Sequence, residues 1–241
     1  MGGFQLNHIV DKLLLILMLS IGLPAASALA GEMPDVVYWN SPTGKLLRAR
    51  MPADADYWQL SPAFTVQQTQ SYCSVASAVT VLNALPIKKP VDPVYAPYHY
   101  FTQRDFFTPA VTRIIDAQTV LAQGMTREQM AETLRAQGVK TRSIAGDSLD
   151  DKQLRSLLQK ALGDDGHFVL ANYLRARLGQ VGGGHWSVLA AYDAPSDRVL
   201  ILDVAKYKYT PVWVRIDALR RAIDTIDSTS GKPRGLVLVS Q

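Results

Sequence analysis

Apolar residues recur at helical spacing in the first half of the chain and switch to strand-like runs in the second. This switch constrains the fold more than any other feature of the 241-residue sequence. The first helix is predicted from Cys73 to about Leu85, with Val75, Val79 and Leu82 on one stripe and Pro86 and Pro90 stopping it. Val111 to Gln123 forms a second helical pattern. Thr126-Arg127-Glu128-Gln129 reads as a capping box that opens a third, closed by Gly138. Ser148-Leu149-Asp150-Asp151 has the same form ahead of Leu154, Leu157, Leu158 and Leu162. Strands are then predicted at Phe168–Leu174, Trp186–Tyr192, Val199–Asp203, Val212–Ile216 and Leu236–Val239. The turn Asp193-Ala194-Pro195-Ser196-Asp197 makes 186–203 a hairpin. The expected fold class is α+β, with a helical lobe, an antiparallel β lobe and a cleft between them.

Two stretches give no regular pattern. Gly31 to Trp58 mixes Pro34, Pro42 and Pro52 with polar residues and reads as an irregular leader. Val91 to Pro109 is rich in aromatic residues and proline, as in a loop that folds over something or packs as core. Ahead of both, Lys12, the apolar run Leu13–Leu23, the breaker Pro24 and the small residues Ala25–Ala30 read as a secretory signal peptide cut after Ala30. An uncleaved membrane anchor is the alternative. Cleavage would leave residues 31–241 as one exported domain of two lobes, with no stable hold on a membrane.

The net charge is +4 and the basic residues are scattered, which argues against nucleic acid as a partner. With one cysteine, the chain can form no internal disulfide despite its expected export. That cysteine, Cys73, follows a polar loop and opens the first predicted helix. The partial positive charge of a helix N-terminus favours thiolate over thiol, which is what a nucleophile needs. The competing reading is a small, inert core residue. Gln67, six positions upstream, is a candidate donor to an oxyanion beside Cys73. His185 follows Gly182-Gly183-Gly184 and starts the first strand of the hairpin, and Asp203 ends the return strand. A carboxylate there can hold one imidazole nitrogen while the other faces a nucleophile. Gln67, Cys73, His185 and Asp203 thus reproduce the order and roles of a papain-like cysteine acyl-transfer site. His99 and His167 lack such support and are read as structural. One cysteine and no histidine pair at ligand spacing offer no protein metal site.

Longer motifs carry a resemblance to a known family. Gln70-Ser71-Tyr72-Cys73-Ser74-Val75-Ala76-Ser77 with Leu82-Asn83-Ala84-Leu85 resembles the nucleophile region of the phytochelatin synthases. Gly184-His185-Trp186-Ser187 resembles their histidine segment, and Ile201 through Val214 their aspartate segment. Ile226-Asp227-Ser228 and Arg234-Gly235 continue the match, which runs from about Ala63 to Ser240. Ser74 departs from the usual glycine after the nucleophile, and Val188 from a usual proline. The chain is similar to the short bacterial members, which lack the cysteine-rich extension of the plant enzymes.

The resemblance implies a papain-like fold, a bacterial periplasmic location and glutathione as substrate. It implies that Cys73 cleaves glycine from glutathione and passes the γ-glutamylcysteinyl group to a second glutathione or to water. Asn172, Arg175, Asp227 and Arg234 are candidates to hold the zwitterionic γ-glutamyl end. No tightly bound cofactor is expected. Dependence on cadmium or zinc, in keeping with a heavy-metal response, would enter through metal–glutathione thiolate complexes as substrate. A homodimer is one assembly open to such a chain. Two other readings stand beside this one: a periplasmic glutathione hydrolase or related cysteine peptidase with little transpeptidation, and a glutathione- or metal-binding protein without turnover.

Overall fold

Valine, leucine and isoleucine alternate between two buried faces along the second half of the chain, and the strands they form build one sheet. The computed structural model describes residue 1, residues 35–164 and residues 166–241. The predicted signal peptide therefore lies outside the described residues. Among the described residues seven strands pair antiparallel throughout, in the order β1-β6-β5-β4-β3-β7-β2. They are β1 (Val36–Tyr38), β2 (Lys140–Ala145), β3 (His167–Leu174), β4 (Gly184–Asp193), β5 (Arg198–Leu202), β6 (Val212–Arg215) and β7 (Gly235–Ser240). Residues 34–241 form one compact unit.

Each face of the sheet has its own core. Phe168, Leu170, Trp186, Val188, Leu202, Trp213 and Val237 pack with α3 (Cys73–Ala84) and with Met130 and Leu134 of α6 (Arg127–Ala136). Val169, Ala171, Tyr173, Leu189, Ile201 and Val214 pack with Leu154 and Leu158 of α7 (Asp151–Ala161) and with α8 (Ile216–Ile223). The mixed helical and antiparallel architecture is α+β. Helices thus cover both faces of the sheet, so its strands read as near-continuous apolar runs. The pairing of β4 with β5 shifts register between Leu189 and Ala191, which turns both Ala190 and Ala191 toward the α3 face.

α3 is buried on all sides from Cys73 to Leu82. A helix apolar all round belongs in a core, and burying each of its larger side chains is worth about 1.5–3 kcal/mol. The helix that carries the only cysteine is therefore held firmly in place.

Several boundaries differ from the sequence expectation, each for a local reason. The pattern at 111–123 splits into α4 (Pro109–Thr112) and α5 (Ala117–Gln123). Asp116 restarts the helix, because its carboxylate accepts the Thr119 N–H at 2.9 Å. The capping box before α7 sits two residues later than predicted, with Asp150 and Gln153 exchanging bonds. Ile216 leaves the β6 strand and begins α8. The supposed irregular leader contains β1, α1 (Pro42–Ala49) and the start of α2 (Tyr57–Ala63). Pro42 falls at α1's first position, and Pro62, just past that stretch, near the end of α2, where the loss of an N–H costs less than in a long helix interior.

Candidate active site

Cys73 is the first residue of α3, and its preceding residue, Tyr72, supplies no side-chain cap. The helix therefore presents unneutralised N–H dipoles at the end where the thiol sits. Cys73 is only 8% exposed. Burial works against charge on the sulfur. A hydrogen bond to His185, the positive charge of that ring and the backbone N–H groups of Trp186 and Ser74 outweigh it and hold the thiol below its ordinary pKa. The inert-core alternative for this residue has no need of such an environment.

His185 stands at the second position of β4, on the strand pair that joins Tyr173 to it in register. Its Nε2 lies 2.9 Å from Asp203 Oδ1, which leaves Nδ1 for Cys73. Burial depresses the imidazolium, but the bonds to Asp203 and Cys73 prevail and raise its pKa. Tyr173 meets the ring edge-on at 5.7 Å between centroids. The order Cys–His–Asp thus runs as one hydrogen-bonded chain, with imidazole and thiol shifted toward an imidazolium–thiolate pair.

Asp203 follows the last residue of β5 and is fully buried. Its Oδ1 also accepts the Ala205 N–H at 2.9 Å, an Asx turn that fixes the carboxylate on its own backbone. Arg175 closes the other side. Its two terminal nitrogens donate to the two carboxylate oxygens at 2.7 and 2.9 Å, and one also donates to Gln180 Oε1 at 2.8 Å. Burial raises the Asp203 pKa, yet His185 and Arg175 together drive it well below the usual carboxylate range. Arg175, expected on the substrate's γ-glutamyl end, is held on the carboxylate that meets the histidine, and three of its five N–H hydrogens are engaged there and on Gln180. It also lines the cavity over His185.

Gln67 is buried beside the same cavity, and its backbone N–H donates to the Val204 carbonyl at 3.0 Å. That bond ties the loop before Cys73 to the segment after Asp203. The side chain is less available than expected for an oxyanion donor. Both of its amide hydrogens are taken, by the Thr69 carbonyl and by the Tyr207 hydroxyl, each at 2.8 Å. A carbonyl can only accept, so the Thr69 contact fixes which end of the amide is nitrogen. An oxyanion can receive a hydrogen from Gln67 only by displacing Tyr207.

The cavity over His185 has a volume of about 420 Å³. Gln67, Gln70, Gly182–Gly184, Tyr207 and Lys208 are among its walls. Tyr209 steadies the backbone ahead of the three glycines, its hydroxyl accepting the Val181 N–H at 2.7 Å. Tyr207 and Lys208 face the cavity, a role that their place four and five residues past Asp203 could have signalled.

The phytochelatin synthase family model matches residues 30–236. The chain belongs to the phytochelatin synthase family. It is 29% identical to glutathione gamma-glutamylcysteinyltransferase 1 of Arabidopsis thaliana over 213 residues, 86% of this chain and 42% of that protein. The corresponding protein of Triticum aestivum is 30% identical, over 86% of this chain and 41% of its own length. Glutathione gamma-glutamylcysteinyltransferase of Schizosaccharomyces pombe is 24% identical over 187 residues, 76% of this chain and 43% of that one. The chain thus spans less than half the length of these relatives.

In this phytochelatin synthase family member the remaining substrate candidates are not among the residues that line the cavity. Arg234 is buried under Gly184, where an added Cβ would come within 2.6 Å of its guanidinium. It donates to the Ile226 carbonyl at 2.6 Å and reaches Asp227 at 3.3 Å, while its buried Nε has no partner. Asn172, opposite Trp186 on β3, is buried with Oδ1 unpartnered. Asp227 is part-exposed and organises its own turn by accepting the Thr229 N–H at 2.8 Å. The Ser74 hydroxyl is buried without a partner, next to the N–H that faces the sulfur. Val188 packs inside the sheet. His99 Nδ1 lies 2.9 Å from the Lys89 carbonyl, and His167 lies beside Asp164, both away from the site. Among the described residues no group of three or more His, Cys, Asp and Glu side chains is arranged to hold a metal ion.

Proposed function

We propose that the protein is a glutathione γ-glutamylcysteinyltransferase with a papain-like fold and mechanism. The observation that carries this reading is the buried chain Cys73–His185–Asp203, with the thiol's pKa lowered and the imidazole's raised. Family membership and the relatives' names supply the substrate class.

In the first step the Cys73 thiolate bonds to the carbonyl carbon of the cysteinyl–glycine amide. The negative charge gathers on the former carbonyl oxygen, held by the Cys73 backbone N–H and, once Tyr207 has swung off it, by the Gln67 amide. The C–N bond then breaks, and the Nδ1 proton of His185 passes to the departing glycine amine. Asp203 stays ionised and orients the ring. In the second step the amine of another glutathione attacks the thioester, His185 takes its proton and the Cys73 thiolate leaves. Water in place of that amine gives γ-glutamylcysteine. Cadmium or zinc enters as metal–glutathione thiolate, a form of the substrate.

Arg234 and Asp227 remain the candidates for the zwitterionic γ-glutamyl end. A guanidinium with an unpartnered buried Nε supports the first, and a part-exposed carboxylate supports the second. Asn172, whose Oδ1 is also unpartnered, is a third candidate. Residues 1–30 are proposed to direct export to the bacterial periplasm before cleavage.

The test is mass spectrometry of the intact protein after brief mixing with glutathione. A γ-glutamylcysteinyl adduct on Cys73, absent in Cys73→Ala, is expected. Its absence in the wild-type protein, with glycine release unchanged in Cys73→Ala, overturns the reading. Products formed with and without Cd²⁺ then rank glutathione against water as acceptor.

A further inference from the structure

The cavity over His185 has two cationic side chains in its wall, and they differ in what they are free to do. Arg175 is neutralised by Asp203 through two hydrogen bonds and is also held by Gln180. The Lys208 ammonium has no ion-pair or hydrogen-bond partner among the described residues; the ring of Tyr209 lies 5.8 Å from Nζ. A turn sets its position, since the Lys208 N–H donates to the Ala205 carbonyl at 2.8 Å. The backbone from which it projects is thus fastened to the segment that begins at Asp203.

The three glycines ahead of His185 make room for this ammonium. Gly182 has φ +131°, a conformation that side chains rarely adopt, and a Cβ there would lie 3.3 Å from Lys208 Nζ and 3.0 Å from Arg175 Cδ. Gly183 has open space around it, and Gly184 leads directly into His185. Lys208 therefore stands on the histidine side of the cavity. In the proposed reaction that is the side of the departing group, because His185 delivers its proton to the leaving amine. A departing glycine carries a carboxylate one carbon from that amine. The free cation and the product's anion fall on the same side of the scissile bond.

We propose that Lys208 is a specificity-determining residue that holds the free carboxylate of the residue leaving on the carboxyl-terminal side of the scissile bond. This inference rests on the acyl-transfer reading above and adds to it the rule that the cavity selects substrates with one residue and a terminal carboxylate after that bond. An ammonium hydrogen-bonded to a carboxylate is worth about a 10-fold gain or more in binding.

The test compares glutathione with its glycine ethyl ester in wild type, Lys208→Gln and Lys208→Arg, following both the Cys73 adduct and glycine or glycine-ester release. Wild type should favour the free acid by about 10-fold or more in kcat/KM. Lys208→Gln should bring the acid down to the level of the ester and leave the ester unchanged, and Lys208→Arg should keep much of the preference. An equal loss on both substrates in Lys208→Gln, or an undiminished preference, overturns the proposal while the Cys73 adduct still forms. Absence of the adduct in wild type with both substrates overturns the acyl-transfer reading itself, and this inference with it.

Discussion

Two buried arginines, Arg175 and Arg234, each meet an aspartate, and they are built to opposite ends. Arg175 grips both oxygens of Asp203 at 2.7 and 2.9 Å, and Asp203 is fully buried. Arg234 reaches Asp227 at 3.3 Å, with the aspartate part-exposed and one guanidinium nitrogen unpartnered. Burial opposes the charge of both. For Arg175 the hydrogen bonds to Asp203 prevail and its pKa rises, whereas for Arg234 burial prevails over Asp227 and its pKa falls. A guanidinium pinned to both oxygens of a buried carboxylate acts as a strut, and one with a looser, wetter partner is freer to meet something else. From sequence the two looked alike, and both were assigned to the substrate.

The largest effect that tests this contrast falls on the shared member of strut and site. Asp203→Asn removes the charge that holds the imidazolium, and kcat should drop by about 10²- to 10⁴-fold. The alkaline limb of the pH profile should move to lower pH, because the raised His185 pKa depends on that carboxylate. A profile with an unmoved limb would detach Asp203 from the histidine.

Breaking the strut from the other side is a stability experiment. Arg175→Met leaves the Asp203 charge buried with one partner fewer, and urea unfolding should show a loss of about 3–5 kcal/mol. Arg234→Met should cost clearly less, since Asp227 can take water. Equal losses would erase the distinction between the pairs. The pH dependence carries the same information. Asp203 has a depressed folded pKa, so its contribution is full above the unfolded value of about 3.9 and is lost as pH falls below it. Arg175→Met should flatten that acid loss, and Arg234→Met should keep it.

Arg234→Lys retains the charge but not the planar fork. KM for glutathione should rise about 10-fold with kcat little changed, as steady-state kinetics would show. A kcat effect without a KM effect would move Arg234 from binding to chemistry. The smallest expected effect is at the mouth, where Tyr207 is 62% exposed. Tyr207→Phe frees one Gln67 hydrogen and should alter kcat by less than about threefold. A loss of tenfold or more would make the phenol itself the oxyanion donor.

The sequence carried the strand half of the molecule well, because inward and outward apolar residues on β3 to β7 leave a pattern that solvent does not blur. It also carried Cys73, His185 and Asp203, whose residue types and order are a chemical signature. It failed at 35–63, where short elements begin or end at proline and periodicity has no room to develop. The Asp203 partner of Arg175 was hidden for a different reason. It lies 28 residues away across two strands, and nothing local says which carboxylate a guanidinium meets. The same holds for Gln67, one of whose amide hydrogens is claimed by a tyrosine 140 positions downstream.

The Gln67 backbone bond to Val204 has a meaning for motion. It is the clasp between the loop that leads into the nucleophile and the segment that leaves the aspartate. The Gln67 amide proton can trade with solvent deuterium only while that clasp is undone, so its exchange rate counts the moments when the two walls of the site part company. An acyl group parked on Cys73 would lengthen the intervals between them.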